Sequence, residues 1–187
     1  MRLAVIIGST RRGRFGPTVA GWLAHQAAKQ FEVDLLDLAT VDLPTTLPDT
    51  DDEPPPQVAV LAPRLAAADA FAVVTPEINC SFPASLKTAL DWYYEEWHAK
   101  PVAIVSYGRE SGGCYATAQL RQVFTELQAV TIRNTVALPC YWEQFTADGC
   151  WPKPSAGYEA QAKLMLDQLV WWAEALRDAR ATRPYKH

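Results

Sequence analysis

Short apolar runs that suit β-strands alternate with amphipathic stretches that suit helices along the whole chain. That alternation restricts the fold more than any other feature. Leu3–Ile7 is an unbroken aliphatic run, as a parallel strand covered on both faces requires. Gly16–Gln30 then reads as a helix, with Pro17 in its first turn and Val19, Trp22, Leu23 and Ala27 at helical spacing. Strands are predicted at Phe31–Leu38, Ala70–Thr75, Pro101–Ser106 and Val130–Leu138, and helices at Gln57–Ala68, Ala84–Trp97, Tyr115–Ala129 and Ser155–Arg180. Pro63 should start, kink or split the helix that holds it. Repeating units of roughly 30 residues are the length of a strand–helix–strand crossover. They predict one α/β domain over residues 1–187: a five-stranded parallel sheet with helices on both faces, in strand order 2-1-3-4-5.

Composition narrows the partners. A formal net charge of −4 argues against broad nucleic-acid binding, which needs a basic face to displace phosphate counterions. The first apolar run is too short to span a membrane, and Ser9-Thr10-Arg11-Arg12 follows it in place of a cleavage site. The expectation is a cytoplasmic chain with no membrane partner. Cys80, Cys114, Cys140 and Cys150 form no Cys-x-x-Cys pair, and His25, His98 and His187 lie far apart, so no metal is expected. The cysteines read as reduced thiols used as small packing residues. Val41–Gln57, with five of the 14 prolines and the acidic run Asp49–Glu53, reads as a solvated loop.

Sheets of this kind bind ligands beyond the carboxyl ends of their strands, where strand order reverses. Three loops lie there. In Gly8–Gly16, glycines and a helix N-terminus favour an anion, Ser9 and Thr10 add hydroxyls, and Arg11 and Arg14 add charge. Gly8 and Gly13 are spaced as in a P-loop, but Arg14-Phe15 replaces the lysine and hydroxyl residue that triphosphate and Mg²⁺ need. Gly-x-Gly-x-x-Gly is absent, which leaves a site for one terminal phosphate. Thr75–Pro83 is stiffened by Pro76 and Pro83, and Ser106–Gly113 is rich in glycine. Together they offer exposed backbone to the edge of a flat heteroaromatic ring.

The series Gly8-Ser9-Thr10-Arg11…Arg14, then Thr75-Pro76-Glu77-x-Asn79…Pro83…Leu86-Lys87…Asp91-Trp92, then Ser106-Tyr107-Gly108…Gly112-Gly113…Leu120-Arg121 resembles the NADPH-dependent FMN reductase family over about residues 1–140. The resemblance implies a flavodoxin-like three-layer sandwich. It also implies FMN as cofactor, NADPH or NADH as co-substrate, and a small-molecule electron acceptor. By that likeness Ser9, Arg11 and Arg14 hold the FMN phosphate, with Pro17 and Thr18 following in the helix. Pro76, Glu77, Ile78 and Asn79 lie along the isoalloxazine. Tyr107, Gly108, Ser111, Gly112 and Gly113 close its far edge. The family's assemblies imply a homodimer or homotetramer with flavin near the interface, and Trp92, Tyr93, Tyr94 and Trp97 are candidates to shape it.

Ile78 departs from the pattern, because the family has tyrosine there, and Cys114-Tyr115 is a second departure. Glu77 could touch the ligand or pair with Lys87 or Arg121. Trp171 and Trp172 read as core and interface. No catalytic side chain is expected, because hydride chemistry belongs to the cofactor. The resulting expectation is ping-pong transfer from nicotinamide to flavin to acceptor. Two alternatives are a flavodoxin-type electron carrier, which Arg11, Arg12 and Arg14 count against, and a flavin-less binding module, which only Ile78 supports.

Overall fold

The computed structural model describes residues 1–47, 53–154 and 157–186. Its strands are β1 (Arg2–Ile7), β2 (Glu32–Asp37), β3 (Ala70–Pro76), β4 (Pro101–Gly108), β5 (Val130–Thr131) and β6 (Val136–Pro139). Its helices are α1 (Gly16–Ala27), α2 (Pro56–Ala66), α3 (Ala84–Trp92), α4 (Cys114–Glu126) and α5 (Tyr158–Thr182). Every strand pair is parallel, in the order β2-β1-β3-β4-β5, and β6 also pairs with β4. Most of the acidic run 49–53 lies outside the described residues, as does the expected start of the closing helix at Ser155.

Period-two alternation divides the strand residues between two cores. Leu3, Val5 and Ile7 pack with α1 and α5 on one face. Ala4 and Ile6 pack with α2, α3 and α4 on the other. The sheet is thus the middle layer of three. Registers Ile7↔Val74, Pro76↔Tyr107 and Gly108↔Pro139 bring the carboxyl ends of β1, β3, β4 and β6 to one edge, where the loops gather.

Three segments differ from expectation. The fifth strand is split at residues 132–135. In the gap the Arg121 guanidinium donates to the Ile132 and Arg133 carbonyls, and the Asn134 N–H donates to Gln168, so side chains replace ladder hydrogen bonds. The third helix stops at Trp92, because Tyr93 turns extended and its hydroxyl donates to the Val58 carbonyl. That turn buries Trp97 between Phe71 and Phe124 and takes Tyr93 and Trp97 out of any interface; Tyr94 stays exposed. Pro63 lies inside α2 rather than at an end or a break.

The cysteines also depart from expectation. Cys80, Cys114 and Cys150 are exposed and Cys140 is half-buried, so they are not core packing residues. All three exposed ones sit in or beside loops. Of the paired tryptophans, Trp172 packs against the core while Trp171 stands exposed. Among the described residues no helix is long and apolar enough to cross a membrane.

Lys100, at the amino end of β4, is buried and donates to the Leu65 and Ala66 carbonyls at the last turn of α2. Burial, with Arg180 nearby, lowers its pKa to about 8. The unfolded chain therefore holds this proton more tightly than the folded one. Relative to Lys100→Met, the parent should gain stability as pH rises from about 8 towards the ordinary 10.5, and the difference should be flat below that window. Urea unfolding of both proteins at several pH values checks the sign. A gap that moves the opposite way would show that Lys100 is not destabilised by its burial.

Candidate active site

Four loops enclose a cleft of about 570 Å³ at the carboxyl edge of the sheet, a size that suits a small cofactor. Its lining includes Ser9, Arg11, Arg14, Pro76, Glu77, Ile78, Tyr107 and Gly108 from the sequence-predicted set. Pro17, Thr18, Asn79, Ser111, Gly112 and Gly113 do not line it. Pro17 and Thr18 lie in the first turn of α1, Asn79 is exposed in the second loop, and Ser111, Gly112 and Gly113 lie in the third loop.

The first loop leaves β1 at Ile7 and enters α1 at Gly16. Gly16 is needed for close approach, since a Cβ there would come within 2.8 Å of the Ile7 side chain. The backbone N–H groups of Ser9, Thr10, Arg11, Arg12 and Gly13 have no partner among the described residues. Nor do the Arg11 and Arg12 side chains. Five successive free backbone donors just ahead of a helix are the kind of group that can receive an anion.

Arg14 lines the cleft and is also tied into the fold. Its guanidinium donates to both carboxylate oxygens of Asp37, at 2.5 and 2.6 Å, and to the Ser9 carbonyl at 3.1 Å. It ties the loop to the end of β2. Burial would raise the Asp37 pKa, but hydrogen bonds from Arg14 and the Ala39 N–H outweigh it and hold the carboxyl below its usual range.

The second loop is a tight hairpin in which Ile78 and Ser81 exchange backbone hydrogen bonds at 2.8 and 2.9 Å. Asn79 and Cys80 occupy the two positive-φ positions, at 49° and 60°. A cysteine in that region is uncommon. The loop is clamped to α4, because Gln119 donates to the Cys80 carbonyl and accepts from Ser81. Ile78 is left 41% exposed at the cleft.

Glu77 pairs with neither Lys87 nor Arg121. One carboxylate oxygen accepts from the Ser111 hydroxyl at 2.8 Å, and the other from the Tyr115 N–H in the first turn of α4 at 3.0 Å. It joins the second loop to the third and satisfies a helix-end donor. Lys87 is held by Asp91, and Arg121 by the split-strand carbonyls. In the third loop Gly113 has φ 93°, and a Cβ there would lie 2.5 Å from that of Ser106, so only glycine fits.

A fourth loop leaves β6 and runs over residues 140–154. It brings Tyr141 and Trp142 to the cleft, and Arg12, Gly13, Phe15 and Arg109 complete the lining. Tyr107 is buried beneath. Its hydroxyl lies beside the Ser9 side chain and the Gly16 backbone, and burial pushes its pKa upward, which keeps the phenol neutral. The density of aromatics from Tyr141 to Trp151 was the available signal. A second cleft of about 560 Å³ lies beside Thr10, bordered by residues 38–43, Thr45 and the start of α3. It lacks the free guanidiniums of the first.

A three-layer parallel α/β sheet with free backbone donors and a cleft at the carboxyl ends of β1, β3 and β4 defines a protein of flavodoxin-like fold. Comparison with known proteins gives the particular family. The model of the NADPH-dependent FMN reductase family matches residues 1–143, and the chain belongs to that family. It is 34% identical over 148 residues to an NAD(P)H-dependent FMN reductase of Schizosaccharomyces pombe, covering 74% of each chain. A quinone reductase of Escherichia coli is 33% identical over 141 residues, covering 72% of this chain and 74% of that one. Among solved structures, the flavoenzyme NAD(P)H:(acceptor) oxidoreductase FerB from Paracoccus denitrificans aligns with a TM-score of 0.79 and 26% identity, over 93% of this chain and 97% of that one. The chain is therefore an oxidoreductase of the FMN- and NAD(P)H-using class.

The first loop fits an FMN phosphate through its free N–H groups and unpaired arginines, and the cleft is large enough for the ring. Arg14 and Asp37, with side chains 18% and 23% exposed, should act as a unit. Arg14→Ala and Asp37→Asn should each cost on the order of 1 kcal/mol, and the double variant no more than the larger single loss. The contribution is present above the ordinary carboxylate range and is lost as pH falls through the lowered Asp37 value. Denaturation of the four proteins at neutral and acid pH measures both effects. Additive losses would mean the pair does not interact.

Proposed function

We propose that this protein catalyses ping-pong electron transfer, from NAD(P)H to FMN and then to a small acceptor of the quinone type. FMN, when bound, supplies the hydride-accepting and electron-donating chemistry. The protein's own residues bind, orient and exclude. The first loop holds the phosphate through its N–H groups with Arg11 and Arg12, while Arg14 positions the loop through Asp37 rather than meeting the phosphate as its main contact. Pro76, Glu77 and Ile78 lie along one side of the ring with Asn79 shaping their loop, and Tyr107 and Gly108 bound another. Ser111, Gly112 and Gly113 hold those walls in place. Neutral Tyr107 keeps charge out of the cleft floor.

The observation that carries this reading is the run of free N–H groups from Ser9 to Gly13 beside two unpaired arginines and a ring-sized cleft. The acceptor class draws support from relatives named quinone reductase and 2-hydroxy-1,4-benzoquinone reductase.

A phosphate-directed site should bind FMN more tightly than riboflavin. Arg11→Ala removes a charge-assisted contact, which should cost on the order of 1.5–3 kcal/mol. That corresponds to roughly ten- to a hundredfold in affinity. Arg14→Ala should cost less, since its charge is already matched by Asp37. Flavin fluorescence titration of the parent and both variants gives the order. Equal affinity for riboflavin and FMN would remove the phosphate site from the first loop.

A further inference from the structure

Charge in the cleft is uneven once internal partners are assigned. Five charged residues line it: Arg11, Arg12, Arg14, Arg109 and Glu77. Arg14 is matched by Asp37, and both Glu77 oxygens are taken by Ser111 and Tyr115. Arg11 and Arg12 belong to the proposed phosphate site. Arg109, on the third loop, is exposed and makes no ion pair or side-chain hydrogen bond among the described residues. Glu110 and Glu143 lie near enough to act on Cys140, as Arg109 does, but neither lines the cleft.

Beside Arg109 the fourth loop supplies a flat apolar surface. Trp142 is 46% exposed at the cleft, and its ring meets Tyr141 edge-on at 5.1 Å. Tyr141 is held at 4.7 Å from Phe15 and 5.1 Å from Tyr107. The props behind it come largely from residues past the family match. Trp151 packs 5.0 Å from Phe15 and donates to the Tyr141 carbonyl, and the Lys153 N–H donates to Gln144. An indole held in place but half uncovered invites a stacked planar ligand. An unpaired guanidinium beside it favours an ionised oxygen.

We propose that Arg109 and Trp142 form the acceptor subsite, and that it selects planar quinones carrying a negative charge, such as ionised hydroxyquinones, quinone carboxylates or quinone sulfonates. The proposal rests on the flavin-reductase reading given above and adds to it the class of acceptor and the residues that choose it. The overall exchange balances as NAD(P)H, one proton and the quinone giving NAD(P)⁺ and the hydroquinone. Arg109 and Trp142 bind and orient in that exchange and transfer no proton.

Anaerobic stopped-flow kinetics on the FMN-loaded parent, Arg109→Ala, Arg109→Lys and Trp142→Ala separates the two half-reactions. The acceptor probes are 1,4-naphthoquinone-2-sulfonate and uncharged 1,4-naphthoquinone. Arg109→Ala should lower the second-order rate for the sulfonate by roughly ten- to a hundredfold, the loss of one charge-assisted contact. It should leave the uncharged quinone, FMN affinity and reduction by NADPH within about twofold, and Arg109→Lys should recover part of the loss. Trp142→Ala should slow both quinones several-fold with reduction by NADPH unchanged. Equal effects of Arg109→Ala on both quinones would overturn the proposal. So would an effect confined to NADPH, which would assign the arginine to the co-substrate's phosphates. A parent that fails to bind FMN, or to be reduced by NADPH before any quinone is added, would refute the underlying reading and this proposal with it.

Discussion

Tyr107 touches every loop of the site. It lies one residue before the end of β4, where its carbonyl accepts the Glu77 N–H at 2.9 Å and so fixes the start of the second loop. Its hydroxyl reaches back to Ser9 and Gly16, at the two ends of the first loop. Its ring meets Phe15 of the first loop and Tyr141 of the fourth. A buried phenol favours polar neighbours, and those beside this one belong to the first loop. The cleft therefore owes its form to a residue that is itself almost fully covered.

Around Tyr107 the charges are arranged to leave certain groups unmatched. Asp37, which meets the first loop, and Glu77, which lines the cleft, are each committed, one to Arg14 and one to the third loop and α4. Among the charged residues that line the cleft, those uncommitted are positive: Arg11 and Arg12 on one loop, Arg109 on another. A chain of net charge −4 thus presents a cationic cleft. Local placement, not overall charge, decides what a site attracts.

The hairpin at Ile78–Ser81 shows how backbone constraint serves the same end. Two non-glycine residues in the left-handed region cost energy, which the clamp from Gln119 and the Ile78–Ser81 exchange offset. The geometry pushes the side chain of residue 78 outward. Ile78 can pack against a ring but offers no π-face or hydroxyl. The aromatic surface at this cleft comes instead from Tyr141 and Trp142.

The sequence by itself determined the layers, the strand order and three of the four loops, because these follow from signals a few residues long. Period-two and period-3.6 apolar patterns assign strands and helices, and glycine, proline and hydroxyl clusters mark where they end. The tertiary structure decided partners. That Arg14 meets Asp37, 23 residues away, and Glu77 meets Ser111 and Tyr115, 34 and 38 residues away, depends on which strand ends lie in register. The split of the fifth strand depends on Arg121 and Gln168 reaching its carbonyls and N–H, which no local pattern encodes. The fourth loop looked like any aromatic surface segment until packing of Trp151 and Tyr141 on Phe15 brought Trp142 to the cleft. Local propensity is written residue by residue, whereas the choice among several arginines, acids and tryptophans is made only when the sheet brings distant loops to one edge.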